Sequence, residues 1–186
     1  MNLGYQFSKG YYIRYKTKFY GRVTRLFYFP LIRTLKDILG TTDFLDYLSD
    51  FRYPLSGEFA TFVSQARLLR YPSDWGIEVG LLSEIYRIVR VSQVCQVELT
   101  ERYDHKHQEV GTEADKGLNK MATDIARTFF SHLSSNGVIL TRDMLSTIRL
   151  TYLRHARESV GIYESYAKMY RNIISFDFHE ELKTVE

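Results

Sequence analysis

Three short stretches of the chain carry side chains that could together bind an anionic ligand and a metal ion. Asp74–Gly80 places the carboxylate of Glu78 where a helix is expected to begin. Tyr103–Gln108 places two histidines, a carboxylate and an amine just after a predicted strand. Gly21–Arg25 places two arginines and a threonine at a second expected helix start. Imidazoles and carboxylates bind divalent cations and arginine binds phosphate, so the pattern indicates a metal-bound phosphate compound as ligand.

Glu78 lies on the apolar side of its predicted helix, because it continues a stripe of residues at i+3, i+4 and i+7. The stripe consists of Leu81, Leu82 and Ile85. A carboxylate on such a stripe is costly to bury unless it is hydrogen-bonded. It could serve a ligand, or it could complement the helix dipole as an ordinary first-turn acid. Gly76 and Gly80 flank it and lower helix stability, which indicates that another group approaches the backbone closely there.

Gly21–Arg25 opens the helix predicted over residues 24–39. Cations at a helix N-terminus oppose the helix dipole. A bound phosphate would relieve this conflict, because it could accept hydrogen bonds from free backbone N–H groups, the Thr24 hydroxyl and the Arg22 guanidinium. A solvated basic turn would explain the same pattern, so both interpretations stay open.

His105 and His107 are alternate residues of a predicted extended loop, so their side chains are expected to point to the same side. With the carboxylate of Asp104 they would suit Mg²⁺ or Mn²⁺ at a phosphate site, as well as Zn²⁺. A structural zinc is not expected, because no second His/Cys pair stands at zinc-ligand spacing. A surface role for such a pair is also common. We assign no function to the other histidines, His132, His155 and His179.

The composition is that of an ordinary folded protein, with 45% hydrophobic and 25% charged residues in a chain of 186. Cys95 is the single cysteine, which excludes an internal disulfide and suits a reducing compartment. We find no run of about 18 apolar residues and no signal-peptide pattern, so we expect a cytoplasmic protein without a membrane span. Residues 1–36 hold eight of the 25 Lys/Arg and none of the 22 Asp/Glu, so an anionic neighbour is expected for this segment.

Hydrophobic periodicity predicts a mainly helical chain with one clear strand. Helices are predicted over residues 24–39, 44–48, 59–69, 75–89, 113–134 and 141–174, and the strand over residues 94–99. Loops or turns are predicted over residues 52–57, 71–74 and 105–112. Residues 8–19 are expected to be a helix or an irregular aromatic segment, and residues 176–186 a weakly patterned polar tail. So little strand indicates that a sheet-forming segment is missing.

The motifs, taken in order and spacing, resemble the C-terminal half of the glucosyl-3-phosphoglycerate synthase family of retaining GT-A glycosyltransferases. The resemblance rests on Gly21–Arg25, Tyr53–Glu58, Asp74–Gly80, Cys95–Val97 and Tyr103–Gln108. The segment Asp177–Glu181 is similar to the archaeal-type branch of the family. Agreement of several motifs in one order is far more specific than any one of them.

The resemblance implies an α+β, mainly helical fold: the C-terminal portion of a GT-A, or Rossmann-like, glycosyltransferase with a long-helix C-terminal subdomain. Residues 1–112 would form the acceptor and metal-histidine part of the catalytic domain, and residues 113–186 the helical subdomain. The nucleotide-binding half of the family carries an Asp-X-Asp motif, which does not occur in this sequence. We therefore expect a fragment that is inactive alone.

The resemblance also implies a role for each candidate residue. The acceptor would be bound by Gly21, Arg22, Thr24 and His107. The donor would be bound by Gly57, Trp75 and Glu78, and Glu78 is also the catalytic candidate. His105 would be a metal ligand. His107 stands where related enzymes carry asparagine, which weakens its assignment.

The implied reaction transfers glucose from a nucleotide sugar, UDP-glucose or GDP-glucose, to 3-phosphoglycerate with retention. Mg²⁺ or Mn²⁺ would neutralise the diphosphate leaving group, and a homodimer is expected. A mannosyl transferase, or a transferase to another phosphorylated acceptor, is the nearest alternative. A non-catalytic helical interaction module is a second. A nucleic-acid binder that uses residues 1–36 is a third, but no nucleic-acid or membrane partner is expected, because no recognisable motif supports one.

Overall fold

A computed structural model describes residues 3–12, 18–99 and 117–185. Within these ranges the chain is mostly helical with a small mixed sheet, which agrees with the expected α+β, mainly helical class. The strands are β1 (Phe7–Tyr11), β2 (Phe59–Thr61) and β3 (Val94–Glu98). The α-helices are α1 (Phe29–Leu39), α2 (Asp43–Ser49), α3 (Val63–Ala66), α4 (Ile77–Ile88), α5 (Gly117–Ser135), α6 (Arg142–Met169) and α7 (Phe178–Val185).

The sheet has the order β2-β1-β3, with β1 in the centre. β1 pairs with β2 antiparallel, so that Phe7 lies opposite Thr61, and with β3 in parallel, so that Phe7 also lies opposite Val94. Both edges of β1 are therefore hydrogen-bonded to neighbouring strands. A side chain on this central strand is well placed to be buried and to contact the segments that adjoin either neighbour.

Two of the predicted segments differ from the structure at the sheet. The segment expected as a helix or irregular over residues 8–19 begins inside β1, and the helix expected over residues 59–69 is β2 followed by the short α3. In β1 the alternation of strand side chains buries Phe7 and Lys9 completely. The aromatic and basic residues of the segment concealed this two-residue period, and long-range pairing overrode local propensity.

The helix predicted over residues 24–39 is confirmed, although it begins differently. Val23–Tyr28 forms a π-helical segment that runs directly into α1. Pro30 stands where the π-helical segment passes into α1, so its missing N–H removes one helical hydrogen bond at this junction. Gly40, with φ of +80°, ends the helix in a conformation that favours glycine.

The prediction of a weakly patterned C-terminal tail is wrong, because this segment contains α7. Phe178, Leu182 and Val185 fall on one face of α7 and pack on a buried cluster. The buried members of the cluster are Leu26, Ala156, Val160 and Val185. The hydroxyl of Tyr152 on α6 donates a hydrogen bond of 3.1 Å to the Leu26 carbonyl. The start of the π-helical segment is thus fixed between α6 and α7.

The chain forms two compact units, each built from two stretches of sequence. The first unit consists of Met1–Ile13 and Asp46–Ile139, and the second of Arg14–Leu45 and Leu140–Glu186. The domain boundary expected at residue 112 lies outside the described residues, so it stays a prediction. None of the helices in the described ranges is long and apolar enough to cross a membrane.

Two glycines let α4 approach its neighbours in the first unit. A Cβ atom on Gly76 would lie 2.0 Å from Oγ1 and 2.9 Å from Cβ of Thr128 on α5. A Cβ on Gly80 would lie 2.5 Å from Cγ of Pro72. The close approach that the sequence indicated at these glycines is thus explained by protein atoms. It fixes the start of α4, and with it Glu78.

We expect Gly76→Ala to destabilise the protein by about 1–3 kcal/mol, as overpacking does. The cause is steric, because Gly76 has φ of −80°, which any residue adopts, and rotation of Thr128 would not move its Cβ. Gly161 in α6 has no atom within 4 Å of the place that a Cβ would take, so Gly161→Ala should instead stabilise by about 0.5–1 kcal/mol. Urea unfolding of both variants measures the difference. Equal effects of the two substitutions would contradict the close contact at Gly76.

Candidate functional site

In the first unit, Glu78 stands in the first turn of α4, as the apolar stripe predicted. Its side chain is half-buried, and the apolar residues that follow it on the stripe are buried. Burial raises the pKa of Glu78, the field of Glu58 adds to this, and a backbone hydrogen bond and the Lys9 ammonium oppose it. A half-exposed carboxylate that is partly desolvated and faces a cation is a suitable acceptor for ligand hydroxyl groups.

The loop that leads into α4 is held by carboxylates. The Asp74 side chain accepts a hydrogen bond of 2.9 Å from the Gly76 backbone N–H. Asp124 on α5 is almost completely buried and accepts from the backbone of Trp75. Desolvation alone would raise the pKa of Asp124, but the hydrogen bond from Lys120 and the bond from Trp75 hold it below its usual range. The Trp75 side chain remains 39% exposed and is free to contact a ligand beside Glu78.

The loop that contains Gly57 is tied to the central strand of the sheet. Lys9 on β1 donates a hydrogen bond to the Ser56 carbonyl, and the Ser56 hydroxyl donates to the Gly10 carbonyl. The Gly10 N–H donates to the Glu58 carbonyl at 2.8 Å. Ser56 is buried, whereas Gly57 is exposed and has no atom within 4 Å of the place of a Cβ. The tip of this loop is therefore open on a rigid base.

Lys9 is fully buried, with no exposed surface. Burial lowers its pKa to about 8, and the carboxylates of Glu78 and Glu58 oppose this shift. Lys9 is thus hydrogen-bonded to the residue before Gly57, and the charge of Glu78 acts on it. Lys9 is absent from the residues selected on the sequence, because β1 was not predicted.

In the second unit, Gly21, Arg22 and Thr24 come together at the start of the π-helical segment, as predicted. Gly21 has φ of +71°, and its carbonyl accepts a hydrogen bond of 3.1 Å from the Arg25 N–H. Thr24 is buried. No side chain caps the helix start at Arg22, so the anion-site prediction stays open at this position.

Arg22 is bound by two carboxylates of α7. Its Nε lies 2.7 Å from Oε1 of Glu181, and its Nη2 lies 2.6 Å from Oε1 of Glu180. These bonds occupy the side of the guanidinium that would bind a phosphate. Glu180 is more than half exposed, whereas Glu181 is almost fully buried. The predicted anion site therefore holds anionic oxygens, and they come from the chain itself.

Arg25, one helical turn away, forms the buried side of this cluster. Its Nη2 lies 2.7 Å from Oε2 of Glu181, and both side chains are only about 5% exposed. Its guanidinium carbon lies 4.7 Å from the centre of the Tyr163 ring, within cation–π range. Glu181 thus bridges Arg22 and Arg25. The regular spacing of Phe178, Glu181 and Leu182 was a signal that could have revealed α7.

His105 and His107 lie outside the described residues, so the metal site that they predict stays a prediction. Among the described ranges, no three His, Cys, Asp or Glu side chains gather as a metal site would need. His155, to which the sequence assigns no function, lies 2.8 Å from Asp37 through Nε2 and 3.3 Å from Glu158 through Nδ1. These contacts, with Asp37 of α1 and Glu158 of α6, give His155 a structural explanation.

The chain is similar to two curated proteins named glucosyl-3-phosphoglycerate synthase. The one from Persephonella marina is 45% identical over 184 residues, which is 99% of this chain and 45% of that relative. The one from Methanococcoides burtonii is 39% identical over 183 residues, 96% of this chain and 44% of that relative. The resemblance inferred from the motifs is confirmed over nearly the whole chain, which spans a little under half the length of these relatives. No protein-family model matches the chain.

Solved structures of glucosyl-3-phosphoglycerate synthase from Mycobacterium tuberculosis share the fold. The complex with Mn²⁺, UDP-glucose and phosphoglyceric acid matches 72% of this chain and 40% of that protein, with a TM-score of 0.52 and 24% identity. The complex with Mg²⁺ and UDP matches 71% and 40%, with the same TM-score and identity. This similarity confirms the expected fold class: the chain has part of a GT-A fold.

We expect Glu181→Gln to destabilise the second unit by about 3–5 kcal/mol, because it leaves the buried Arg25 guanidinium without its carboxylate. Glu180→Gln is the matched control, since it removes a more exposed carboxylate from the same helix and should cost less than about 1 kcal/mol. Chemical denaturation of the two variants measures this difference. Similar stabilities for both would show that Glu181 is not the counter-ion of Arg25.

Proposed function

We propose that this chain forms the acceptor-side part of a retaining glucosyltransferase that moves glucose from UDP-glucose or GDP-glucose to 3-phosphoglycerate. The observation that carries the proposal is the 45% identity, over nearly the whole chain, to a relative named glucosyl-3-phosphoglycerate synthase. The complex of the M. tuberculosis protein with UDP-glucose and phosphoglyceric acid supports the choice of ligands. Since the chain covers 45% of the P. marina relative, a further segment would complete the donor site.

The acceptor phosphate is assigned to Gly21, Arg22 and Thr24. A phosphate at this helix start gains backbone N–H donors and the favourable end of the helix dipole. Its oxygens would replace Glu180 on Nη2 of Arg22, because Glu180 is exposed and is held by a single ion pair. Glu181 is buried against Arg25 and would stay in place. Acceptor binding is therefore an exchange of one carboxylate for a phosphate, which carries more charge.

The donor glucose is assigned to Glu78, with Trp75 and Gly57 beside it. An ionised carboxylate accepts hydrogen bonds from two sugar hydroxyls at once. The exposed face of Trp75 would stack on the sugar ring, as aromatic side chains with a free face do. The open tip of the loop at Gly57 leaves room for the backbone to approach the donor.

In the proposed reaction, the bond between C1 of glucose and the diphosphate oxygen breaks. A new bond forms between C1 and the C2 hydroxyl oxygen of 3-phosphoglycerate, which is the only free hydroxyl of that acceptor. The hydroxyl proton passes to the leaving diphosphate on the same face of the sugar, so retention needs no enzyme nucleophile. The chain's own contribution is to position the two substrates for this transfer.

Mg²⁺ or Mn²⁺ would neutralise the leaving diphosphate when bound. The described residues do not form a metal site by themselves. His105 is the ligand that we assign from this chain, and carboxylates of the further segment would supply the oxygen ligands that these cations prefer. His107 is assigned to the acceptor. A homodimer and a cytoplasmic location are part of the same proposal.

We expect Arg22→Ala to weaken 3-phosphoglycerate binding by about 1.5–3 kcal/mol, or about 10- to 150-fold, because it removes a charge-assisted hydrogen bond. Affinity for the donor should barely change. Glu180→Gln is the matched control: it removes the competing carboxylate and should leave acceptor binding equal or tighter. Calorimetric titration of the full-length protein measures both. Unchanged acceptor affinity in Arg22→Ala would refute the phosphate assignment.

We expect Glu78→Gln to lower turnover by a factor of about 10 or more, because it keeps the shape of the side chain but removes the charge that accepts the sugar hydroxyls. The free energy of unfolding should change by less than about 1 kcal/mol, since Glu78 is only half-buried. Nucleotide release in the presence of 3-phosphoglycerate, measured beside a melting curve, separates the two effects. A large loss of stability with full activity per folded molecule would make Glu78 structural.

A further inference from the structure

We propose that Lys9 is a positioning residue for the donor sugar: its buried ammonium group is hydrogen-bonded to the loop at Ser56–Glu58, which it holds against β1, and serves as the cation for the Glu78 and Glu58 carboxylates. This inference rests on the proposed function, because it is there that Glu78 receives the sugar. Lys9 itself does not contact the substrate. It acts through Glu78 on one side and through the loop on the other.

The geometry around Lys9 is that of a built cluster. Lys9 stands in the middle of the central strand and is completely buried. It donates to the Ser56 carbonyl, and Ser56 donates back to the neighbouring Gly10 carbonyl. Gly10 in turn donates to the Glu58 carbonyl at 2.8 Å. A Cβ on Gly10 would lie 2.9 Å from Cβ of Glu58, so strand and loop are in the closest contact that the backbone allows.

The hydrogen bond to the loop does not by itself explain why a cation is buried at this position. A neutral donor would satisfy the Ser56 carbonyl equally well, and burying an ammonium ion without a counter-ion is costly. Two carboxylates from other elements act on Lys9: Glu78 from the first turn of α4 and Glu58 from the residue before β2. The same three groups act on one another, since the charge of Lys9 lowers the pKa of Glu78 and the charge of Glu58 raises it. The charge on Lys9 thus offsets two acids that would otherwise repel each other.

The protonation states depend on one another. Burial raises the pKa of Glu78, and Lys9 opposes this, so removing Lys9 would raise it further. Burial lowers the pKa of Lys9 to about 8, and the acids oppose this. Glu78 must be ionised to accept from two sugar hydroxyls, and Lys9 must be protonated to keep it so. The cluster therefore favours sugar binding between the raised pKa of Glu78 and a pH of about 8.

The first test is the pH dependence of kcat/KM for the donor in the full-length protein. The wild type should lose activity above a pH of about 8, as Lys9 deprotonates. Lys9→Arg should keep its activity and lose this alkaline limb, because a guanidinium does not titrate in that range. Lys9→Met keeps the length of the side chain without its charge; it should lower kcat/KM at neutral pH by a factor of about 10 or more and move the acid limb to higher pH. KM for 3-phosphoglycerate should not change.

A wild-type alkaline limb that persists in Lys9→Arg, or an acid limb that stays in place in Lys9→Met, would overturn the inference. The second test does not depend on catalysis, and it covers the case in which a Lys9 variant fails to fold. The Cε resonance of Lys9 is titrated by NMR in protein with ¹³C-labelled lysine. Its midpoint should fall in Glu78→Gln, because a group that raises the pKa of Lys9 is removed.

Glu98→Gln is the matched control for the titration, since Glu98 is an exposed acid on β3 of the same sheet and should leave the midpoint unchanged. An unchanged midpoint in Glu78→Gln would refute the coupling. If the midpoint falls as expected but the full-length protein does not transfer glucose, then the proposed function is wrong while Lys9 still controls the ionisation of Glu78. The two failures are therefore distinguishable.

Discussion

Burying a charge requires an opposite charge beside it, and this constraint connects the fold to the candidate site in both units. In the second unit Arg25 is buried against Glu181, and in the first Lys9 is buried near Glu58 and Glu78. A desolvated ion without its partner costs several kcal/mol. The ion pair of Arg25 with Glu181 thus holds α7 by charge as well as by apolar packing.

The candidate ligand contacts extend outward from these buried pairs. Arg22 shares Glu181 with Arg25, and its Nη2 binds the more exposed Glu180. Glu78 shares the field of Lys9 and has a half-exposed carboxylate. In the proposed function, the inner charge of each pair would fix the geometry and the outer charge would face the ligand. Preorganisation of this kind would suit the proposed transfer, in which the main task is to place two substrates correctly.

The sequence predicts the helical part of the fold well, because helices with one apolar face leave a clear period. α1, α4, α5 and α6 lie close to their expected bounds, and Glu78 stands in the expected turn. Lys9 could not be found in the same way, since a five-residue strand inside an aromatic, basic segment has no such signal and is fixed by partners about 50 and 90 residues away. The role of Glu181 was missed because its partner Arg25 is even more remote in sequence.

The discontinuous second unit has a consequence for how the protein is made. Arg22 and Glu181 are 159 residues apart in the chain, and the whole first unit is synthesised between them apart from its first strand. As the ribosome delivers the chain from the N-terminus, Arg25 and the π-helical segment are complete long before α6 and α7 exist. The first unit can fold once residue 139 has emerged from the ribosome. At that stage residues 14–45 of the second unit still lack their partners, residues 140–186. Late closure of this kind leaves the apolar residue Leu26 without Ala156, Val160 and Val185, its partners in the buried cluster, until α6 and α7 have been synthesised.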